Sequence, residues 1–220
     1  MTVLICTMNE AENLPHVLPK IPDWVDEVLL VDGHSIDGTV EIARQLRPDI
    51  RIVYQPGRGK GDALRHGIQE AKGEIIITLD ADGQTDPSEI GKFVEAILSG
   101  YDFAKGTRFR RIVSAARPLH RIIGNWLITL VFDLLFLRTY TDLCSGYNAF
   151  KRSAIQTLNL TYPNGLADEP LLHCRAAKAG LRVIEVPHRD CPRIAGASKA
   201  PSWRQGITAI STILRERLRA

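Results

Sequence analysis

The first hundred residues alternate short apolar runs, rich in β-branched residues, with amphipathic segments. The runs are TVLICT at 2–7, EVLLV at 27–31, RIVY at 51–54 and EIIITL at 74–79. Between them, helical spacing of apolar residues predicts a helix through Val17, one from Asp37 to Leu46 and one from Lys60 to Lys72. This repeated β-α order predicts an α/β fold with a mostly parallel central sheet and helices on both faces.

The regular alternation stops after Gly100. Strands are predicted at 102–105 and 182–186, and helices at 117–137 (one long or two short), 168–179 and 203–218. Pro170 in the first turn and Gly180 just past the end support the second of these helices. No repeat or linker interrupts the sequence, so we expect one domain with a C-terminal elaboration.

Polar residues collect where the predicted strands end. They are 7–10 after the first strand, Asp32 after the second, 55–61 after the third and 80–84 after the fourth. Ligands of parallel α/β sheets bind beyond the carboxyl ends of the strands. The sequence therefore predicts a single cleft formed by these four tips.

The fourth strand ends in two carboxylates one residue apart, Asp80 and Asp82. Like charges this close repel each other unless a cation or hydrogen-bond donors lie between them. With the amide oxygen of Gln84 they are hard oxygen ligands suited to Mg²⁺ or Mn²⁺, ions that complete their coordination with water and substrate phosphates. The structural alternative is a turn at Asp82-Gly83 followed by Asp86 as a helix N-cap.

Five motifs in this order resemble glycosyltransferase family 2, in its polyprenyl-phosphate sugar synthase branch, which is dolichol-phosphate mannosyltransferase-like. They are VDGHSIDGT at 31–39, GRGKGDALRHG at 57–67, LDADGQ at 79–84, GTRF at 106–109 and RIAGASK at 193–199. The resemblance implies a single GT-A domain over 1–220. Its nucleotide-sugar-binding half would be 1–110, and its acceptor-binding and membrane-interface half 111–220.

The resemblance also implies that Asn9, Glu10 and Asp32 hold the nucleotide base and ribose. The full set expected to bind the nucleotide sugar is Thr7, Asn9, Glu10, Asp32, Lys60, Asp80, Ala81 and Asp82. The family often has a second acid where this sequence has Gly33 and a glycine where it has His34. The branch favours GDP-mannose as the donor, with UDP-glucose as the second candidate.

A second phosphate site is expected for the acceptor. Arg108 follows a predicted strand end, and arginine forks match phosphate oxygens bidentately. The resemblance implies that the acceptor phosphate contacts Arg108, Arg121, Asn125, Arg193, Ser198 and Lys199. Asp80, Asp82 and Arg108 are the expected catalytic residues.

The helix predicted around 117–137 has one narrow polar stripe, formed by Arg121, Asn125, Thr129 and Asp133 at four-residue spacing. Apolar residues cover the rest of its circumference, an arc too wide for one ordinary core contact. This arc is either buried in the fold or a homodimer, or it lies in a membrane interface. The final helix carries Arg204, Arg215, Arg217 and Arg219 beside its apolar side (Trp203, Ile207, Ile210, Ile213, Leu214 and Leu218), and it either binds an anionic surface or packs on the sheet.

The expected reaction is an inverting displacement at the anomeric carbon of the sugar. A phosphate nucleophile is already ionised near neutral pH, because its second pKa is about 6, and needs no base. A hydroxyl nucleophile needs one, and Asp168 and Glu169 are the candidates, although both residue types also suit a helix N-terminus.

Overall charge and cysteine content narrow the class of protein. A formal net charge of +3, from 28 basic and 25 acidic residues, is too balanced for nucleic-acid binding through bulk charge. Four scattered cysteines indicate neither a zinc site nor a disulfide framework. With no signal-type N-terminus, and an apolar run at 126–137 that is short and contains Asp133, we expect a cytoplasmic protein bound peripherally to the cytoplasmic face of a membrane.

Two alternatives to this enzyme remain. One is a family 2 glycosyltransferase that acts on a soluble or polysaccharide hydroxyl. The other is a non-catalytic nucleotide-binding protein that associates with membranes.

Overall fold

A computed structural model describes residues 1–109, 118–160, 169–196 and 202–219. The strands are β1 Thr2–Thr7, β2 Glu27–Asp32, β3 Arg51–Tyr54, β4 Ile75–Asp80, β5 Phe103–Thr107, β6 Asn148–Lys151 and β7 Val183–Pro187. The helices are α1 Leu14–Val17, α2 Thr39–Leu46, α3 Lys60–Glu70, α4 Ile90–Leu98, α5 Leu119–Phe136, α6 Arg152–Thr157, α7 Glu169–Lys178 and α8 Ser202–Leu218.

The strands of the described residues form one sheet in the order β3-β2-β1-β4-β6-β5-β7. Strand β6 runs antiparallel to both β4 and β5, and the other pairs are parallel. The predicted mostly parallel sheet is therefore confirmed. The prediction missed β6, whose four residues NAFK carry no strand pattern, as well as α4 and α6.

Alternate residues of the central strands pack into two cores, one on each face of the sheet. Val3, Ile5 and Ile77 pack on the side of α1 and α4, while Leu4 and Ile76 pack on the side of α3 and α7. Helix α3 packs very close to the sheet at Gly67. A Cβ at this position would lie 2.3 Å from Leu4 Cδ1.

A third core joins α5, α7 and α8. Its buried residues include Ile128 and Phe132 of α5, Cys174 of α7, and Ala209 and Ile213 of α8. Helix α8 thus packs on two helices, rather than on the sheet. Its predicted single apolar side is split, since Ile213 is buried and Trp203, Ile207, Leu214 and Leu218 are exposed.

Candidate active site

The strand register places the predicted polar tips side by side. Thr7 pairs with Asp32 across β1 and β2, and Cys6 pairs with Asp80 across β1 and β4. Because these strands are parallel, the segments that follow them leave the sheet at the same edge. The first, second and fourth of the four predicted tips therefore lie side by side at one edge of the sheet.

The Asp32 carboxylate is buried and holds the two loops of the expected nucleotide side together. Its Oδ1 accepts hydrogen bonds from Thr7 Oγ1 at 3.1 Å and Ser35 Oγ at 2.6 Å, and its Oδ2 accepts one from Ser35 N at 2.8 Å. Asn9 Oδ1 accepts a hydrogen bond from Ile36 N at 2.9 Å. Ser35 is thus a residue of this side that the sequence prediction missed.

His34 adopts φ +63°, in the left-handed region that favours glycine. This explains in physical terms why a glycine suits the position. Here the imidazole stacks on Tyr54, with ring centroids 5.7 Å apart, and its Nε2 lies 3.0 Å from Gln55 O.

Each carboxylate of the acidic pair faces its own cation. Lys60 Nζ lies 2.9 Å from Asp80 Oδ1, and Arg193 Nη1 lies 2.9 Å from Asp82 Oδ2. Burial disfavours ionised Asp80, but Lys60 and Arg108 hold the pKa of its carboxyl below its ordinary value. Burial and the charge of Asp80 together raise the pKa of Asp82. The second acid is therefore short of positive charge even with Arg193 beside it.

The Asp80 carboxylate packs directly against the backbone at Gly146, where there is no side chain. A Cβ at this position would lie 2.5 Å from Asp80 Oδ2 and 3.0 Å from two further atoms of the carboxyl group. No L-residue with a side chain fits there without moving Asp80. The sequence reasoning did not identify Gly146, although it lies in the turn-like CSG stretch just before β6.

Arg193, in the segment after β7, forms ion pairs with the loops that follow β1 and β4. Its Nη2 lies 2.8 and 3.0 Å from the two carboxylate oxygens of Glu10, while Nη1 binds Asp82. Asn13, which the prediction missed, fixes the same segment by accepting a hydrogen bond from Ala195 N at 2.9 Å. Two predicted site residues, Glu10 and Asp82, thus meet at the guanidinium of a third, Arg193.

Lys60 also reaches the first turn of α7. Its Nζ lies 2.8 Å from Glu169 Oε1, so the candidate base Glu169 is one lysine away from Asp80. Asp168, Ser198 and Lys199 lie outside the described residues.

Arg108 and Asn125 converge on a buried acid that the sequence prediction missed, Asp142. The guanidinium binds its carboxylate through Nε at 2.6 Å and Nη2 at 2.8 Å, and Asn125 Nδ2 donates to Oδ1 at 2.7 Å. Burial opposes the charge of Asp142, yet Arg108 and Lys105 hold its pKa far below the ordinary value. In return Asp142 raises the pKa of Arg108 above its ordinary value, despite burial.

Helix α5 turns its polar stripe inward. Asn125 and Thr129 are buried, Thr129 Oγ1 accepts a hydrogen bond from Leu143 N at 3.1 Å, and the Asp133 carboxylate accepts bonds from Tyr140 N at 3.0 and 3.1 Å. Arg121, one turn before Asn125, is half-buried. The residues exposed on the opposite side are Leu119, Ile123, Trp126, Leu127, Leu130 and Leu134.

By length and composition, α5 is the one helix of the described residues that could cross a membrane. It is longer than the apolar run at 126–137 suggests. Its polar stripe, however, is bound to the protein along the loop at 140–143, which ties the helix to the rest of the domain.

The donor set of the acidic tip fits a hard divalent cation that also binds phosphates. Among the described residues no group of three or more His, Cys, Asp or Glu side chains is arranged to hold a metal ion. Two carboxylates with Gln84 are nevertheless what Mg²⁺ or Mn²⁺ needs when substrate phosphates complete the shell.

Comparison with known proteins identifies the family. The model described as "Glycosyl transferase family 2" matches residues 2–158. "Dolichyl-phosphate hexose transferase" of Haloferax volcanii is 30% identical over 226 residues, covering 100% of this chain and 96% of that protein. "Glycosyltransferase AglJ" of the same organism is 32% identical over 200 residues, covering 89% of this chain and 64% of the length of that protein.

A solved structure matches nearly the whole chain. It is glucosyl-3-phosphoglycerate synthase from Mycobacterium tuberculosis, in complex with Mn²⁺, uridine diphosphate and glucosyl-3-phosphoglycerate. The TM-score is 0.76 at 20% identity, and the match covers 98% of this chain and 78% of that one. This likeness confirms the predicted GT-A fold. The chain belongs to glycosyl transferase family 2 and is a glycosyltransferase.

Proposed function

We propose that the protein transfers a hexose from a nucleotide sugar to a polyprenyl phosphate at the cytoplasmic face of a membrane, with inversion at the anomeric carbon. GDP-mannose is the favoured donor and UDP-glucose the second candidate. The observation that carries the proposal is α5, whose polar stripe places Asn125 on the same carboxylate that binds Arg108, while its apolar side is exposed. A substrate with a phosphate head and an apolar tail suits this arrangement.

Two relatives support the substrate class. Dolichyl-phosphate hexose transferase of Haloferax volcanii spans the whole chain. Undecaprenyl-phosphate mannosyltransferase of Micrococcus luteus is 28% identical, with 89% of this chain and 85% of that protein covered. Both names specify a lipid phosphate, and the second specifies mannose.

In the proposed reaction a phosphate oxygen of the acceptor forms a bond to the anomeric carbon, and the bond from that carbon to the nucleoside diphosphate breaks. Lys60 would bind the departing diphosphate, because it already lies at the acidic tip within reach of Asp80. Mg²⁺ or Mn²⁺ on Asp80, Asp82 and Gln84 would contribute Lewis-acid neutralisation of that diphosphate. Arg193 now balances Glu10 and Asp82, and a phosphate group would compete for the same guanidinium.

Acceptor binding falls to the other side of the cleft. Arg108 would bind the polyprenyl phosphate, with Asn125 beside it and Arg121 one turn away on the same face of α5. No base is required, since a phosphate monoester is already ionised near neutral pH.

The membrane-facing surface would consist of the exposed apolar residues of α5 and α8. Four exposed arginines of α8 border it: Arg204, Arg215, Arg217 and Arg219. Trp126 and Trp203 are both exposed there, as amphipathic rings are at bilayer interfaces. Cations beside an apolar surface are attracted to anionic lipid headgroups.

A donor and acceptor matrix tests the proposal. Labelled GDP-mannose or UDP-glucose is incubated with a short polyprenyl phosphate, with a soluble hydroxyl acceptor, or with neither, in Mg²⁺ or Mn²⁺. We expect label in the organic phase with the polyprenyl phosphate. Label only on the hydroxyl acceptor would support the alternative enzyme class instead, and the position of Glu169 beside Lys60 gives that class its candidate base.

A further inference from the structure

Asp142 lies at the centre of a saturated hydrogen-bond network. The residue is fully buried and its carboxylate accepts five hydrogen bonds. Three come from Arg108 (N at 3.2 Å, Nε at 2.6 Å, Nη2 at 2.8 Å), one from Asn125 Nδ2 at 2.7 Å and one from Cys144 N at 3.0 Å. A carboxylate offers about four lone-pair directions, so this one has none left for substrate.

The backbone that carries Asp142 is itself fixed by a buried ion pair. Lys105 Nζ donates to Asp142 O and lies 2.8 Å from Glu185 Oε1, with both side chains almost fully buried. Glu185 also accepts hydrogen bonds from Thr141 N at 2.8 Å and Thr141 Oγ1 at 2.9 Å. Lys105 of β5 and Glu185 of β7 therefore hold the backbone at residues 141–142 through contacts that do not involve the Arg108 side chain.

The segment from Asp142 to Gly146 connects three parts of the cleft. At one end Leu143 N binds Thr129 of α5, and at the other Gly146 lies against the Asp80 carboxylate. Asp142, directly before Leu143, binds the two acceptor-side residues Arg108 and Asn125. A displacement of this carboxylate would therefore be transmitted to Arg108 and Asn125 together.

We propose that Asp142 is a positioning residue for the acceptor, one that fixes the guanidinium of Arg108 and the amide of Asn125 in a single orientation. The fork uses Nε and Nη2 of Arg108, which leaves Nη1 outside it as the edge that meets an acceptor phosphate. A carboxylate is needed because an amide at this position cannot accept both bonds of the fork. This inference rests on the proposed acceptor role of Arg108.

Asp142→Asn tests the proposal, with Asp102→Asn as the matched control. Asp102 also binds an arginine and a lysine, Arg182 and Lys151, but at the start of β5, away from the strand tips. For Asp142→Asn we expect the specificity constant for the acceptor to fall by about 10²-fold, the scale of a misplaced binding group. The dissociation constant of the nucleoside diphosphate with Mn²⁺, measured by calorimetry, should remain within about twofold of the wild-type value. A twofold change corresponds to less than about 1 kcal/mol. The control should change neither quantity.

Equal losses of acceptor and nucleotide affinity, or full activity of Asp142→Asn, would overturn the proposal. If this variant does not fold, Thr129→Val decides the question, because it removes the hydroxyl that joins Asn125 to Leu143 N without removing the counter-ion of Arg108. A selective loss for the acceptor, severalfold or more, supports positioning, and an unchanged acceptor parameter contradicts it.

A measurement without turnover separates this proposal from the proposed function. In NMR spectra of the wild-type protein, the Arg108 Nε–H, assigned by comparison with Arg108→Lys, should exchange slowly and shift as inorganic phosphate is added. It should be lost or fast-exchanging in Asp142→Asn. In Thr129→Val, which keeps the fork between Arg108 and Asp142, it should persist and still respond to phosphate. A resonance that ignores phosphate in the wild-type protein contradicts the positioning role, whatever acceptor the enzyme proves to use. Transfer to a hydroxyl acceptor with this resonance responsive would instead refute the proposed function alone.

Discussion

Asp80 and Asp82 lie two positions apart in the sequence and are both carboxylates, but in the fold each pairs with a different cation. Lys60 is the first residue of α3, and Arg193 comes from the segment after β7. The sequence could indicate the acids, because they end a buried strand. It could not indicate which cation each acid meets. Arg193 lies more than a hundred residues from Asp82 in the sequence, and Lys60 belongs to the connection between β3 and β4, before the strand that carries Asp80.

Replacement of Asp82 tests the role of the acidic pair. Asp82→Asn should abolish most transfer activity and weaken Mn²⁺ binding in the presence of nucleoside diphosphate by about tenfold or more, because removing one ligand charge loses at least ~1.4 kcal/mol of interaction. Calorimetry measures the Mn²⁺ affinity. Asp26→Asn, an exposed acid that binds the N-terminal amine, is the control. Unchanged Mn²⁺ affinity in Asp82→Asn would remove the acids from the metal site.

Gly146 offers a steric test of the same site. Gly146→Ala places a methyl group 2.5 Å from Asp80 Oδ2, so we expect loss of activity and a fall of ~1–3 kcal/mol in the free energy of unfolding. Gly91→Ala is the matched control in α4, where an added Cβ meets nothing within 4 Å. That variant should keep its activity and gain up to ~1 kcal/mol from helix propensity. Chemical denaturation and turnover are measured together, and a fully active Gly146→Ala would contradict the packing of Asp80 against this backbone.

Glu169 distinguishes the two kinds of nucleophile. If the acceptor is a phosphate, Glu169→Gln should lower the turnover number by less than about tenfold, through the altered environment of Lys60 alone. A general base contributes about 10²–10⁴-fold. A loss of that size would indicate a hydroxyl acceptor.

At the scale of elements, the parallel strands and the helices up to α3 follow their apolar pattern and were predictable, whereas α4 was missed. Strand β6 was not predictable, because its four residues are selected by pairing with β4 and β5 rather than by alternation. The same gap hid Asp142, since its role depends on the loop between α5 and β6. The inward polar stripe of α5 was visible as a pattern, but only packing could show which side is exposed.

Helix α7 carries a pH-sensitive element. His173 is fully buried against the rings of Phe103, Phe132 and Tyr140, and burial with the charge of Lys105 holds its pKa well below the ordinary value. The unfolded state therefore binds a proton at a higher pH than the folded state does. The contribution of the neutral imidazole to stability is present above the unfolded pKa of about 6.5 and is lost as pH falls below it.

We therefore expect the free energy of unfolding of the wild-type protein to decrease from pH 7 towards pH 5. In His173→Leu this decrease should be shallower. Some decrease should remain, because burial also lowers the pKa of His188. His16→Gln, on the exposed side of α1, is the surface control. Denaturant titrations at several pH values provide the slopes, and identical slopes for wild type and His173→Leu would contradict the assignment.

At the scale of the whole molecule, the exposed apolar residues of α5 and α8 are the proposed membrane-facing surface. Trp126→Ser with Leu134→Ser should weaken binding to anionic vesicles by about tenfold or more, because each buried apolar side chain contributes ~1.5–3 kcal/mol. Transfer to a short, water-soluble polyprenyl phosphate should change little. Vesicle sedimentation at low and high salt measures the affinity, which should fall with salt because of the arginines.

Trp24→Ser is the control for this surface, since Trp24 is equally exposed but precedes β2. Light scattering without lipid tests the other occupant, a second copy of the chain. A stable homodimer that the Trp126 and Leu134 changes dissociate, with vesicle binding unaffected, would assign the surface to dimerisation.

The most direct test of transfer to a polyprenyl phosphate compares two acceptors that differ only in the phosphate. Labelled GDP-mannose and the wild-type enzyme are incubated with polyprenyl phosphate or with the corresponding polyprenol, in Mg²⁺ and in Mn²⁺, and repeated with UDP-glucose. We expect label in the organic phase with the polyprenyl phosphate and none with the polyprenol. Label transferred to the polyprenol, or to neither lipid while a water-soluble hydroxyl acceptor is glycosylated, would contradict the proposal.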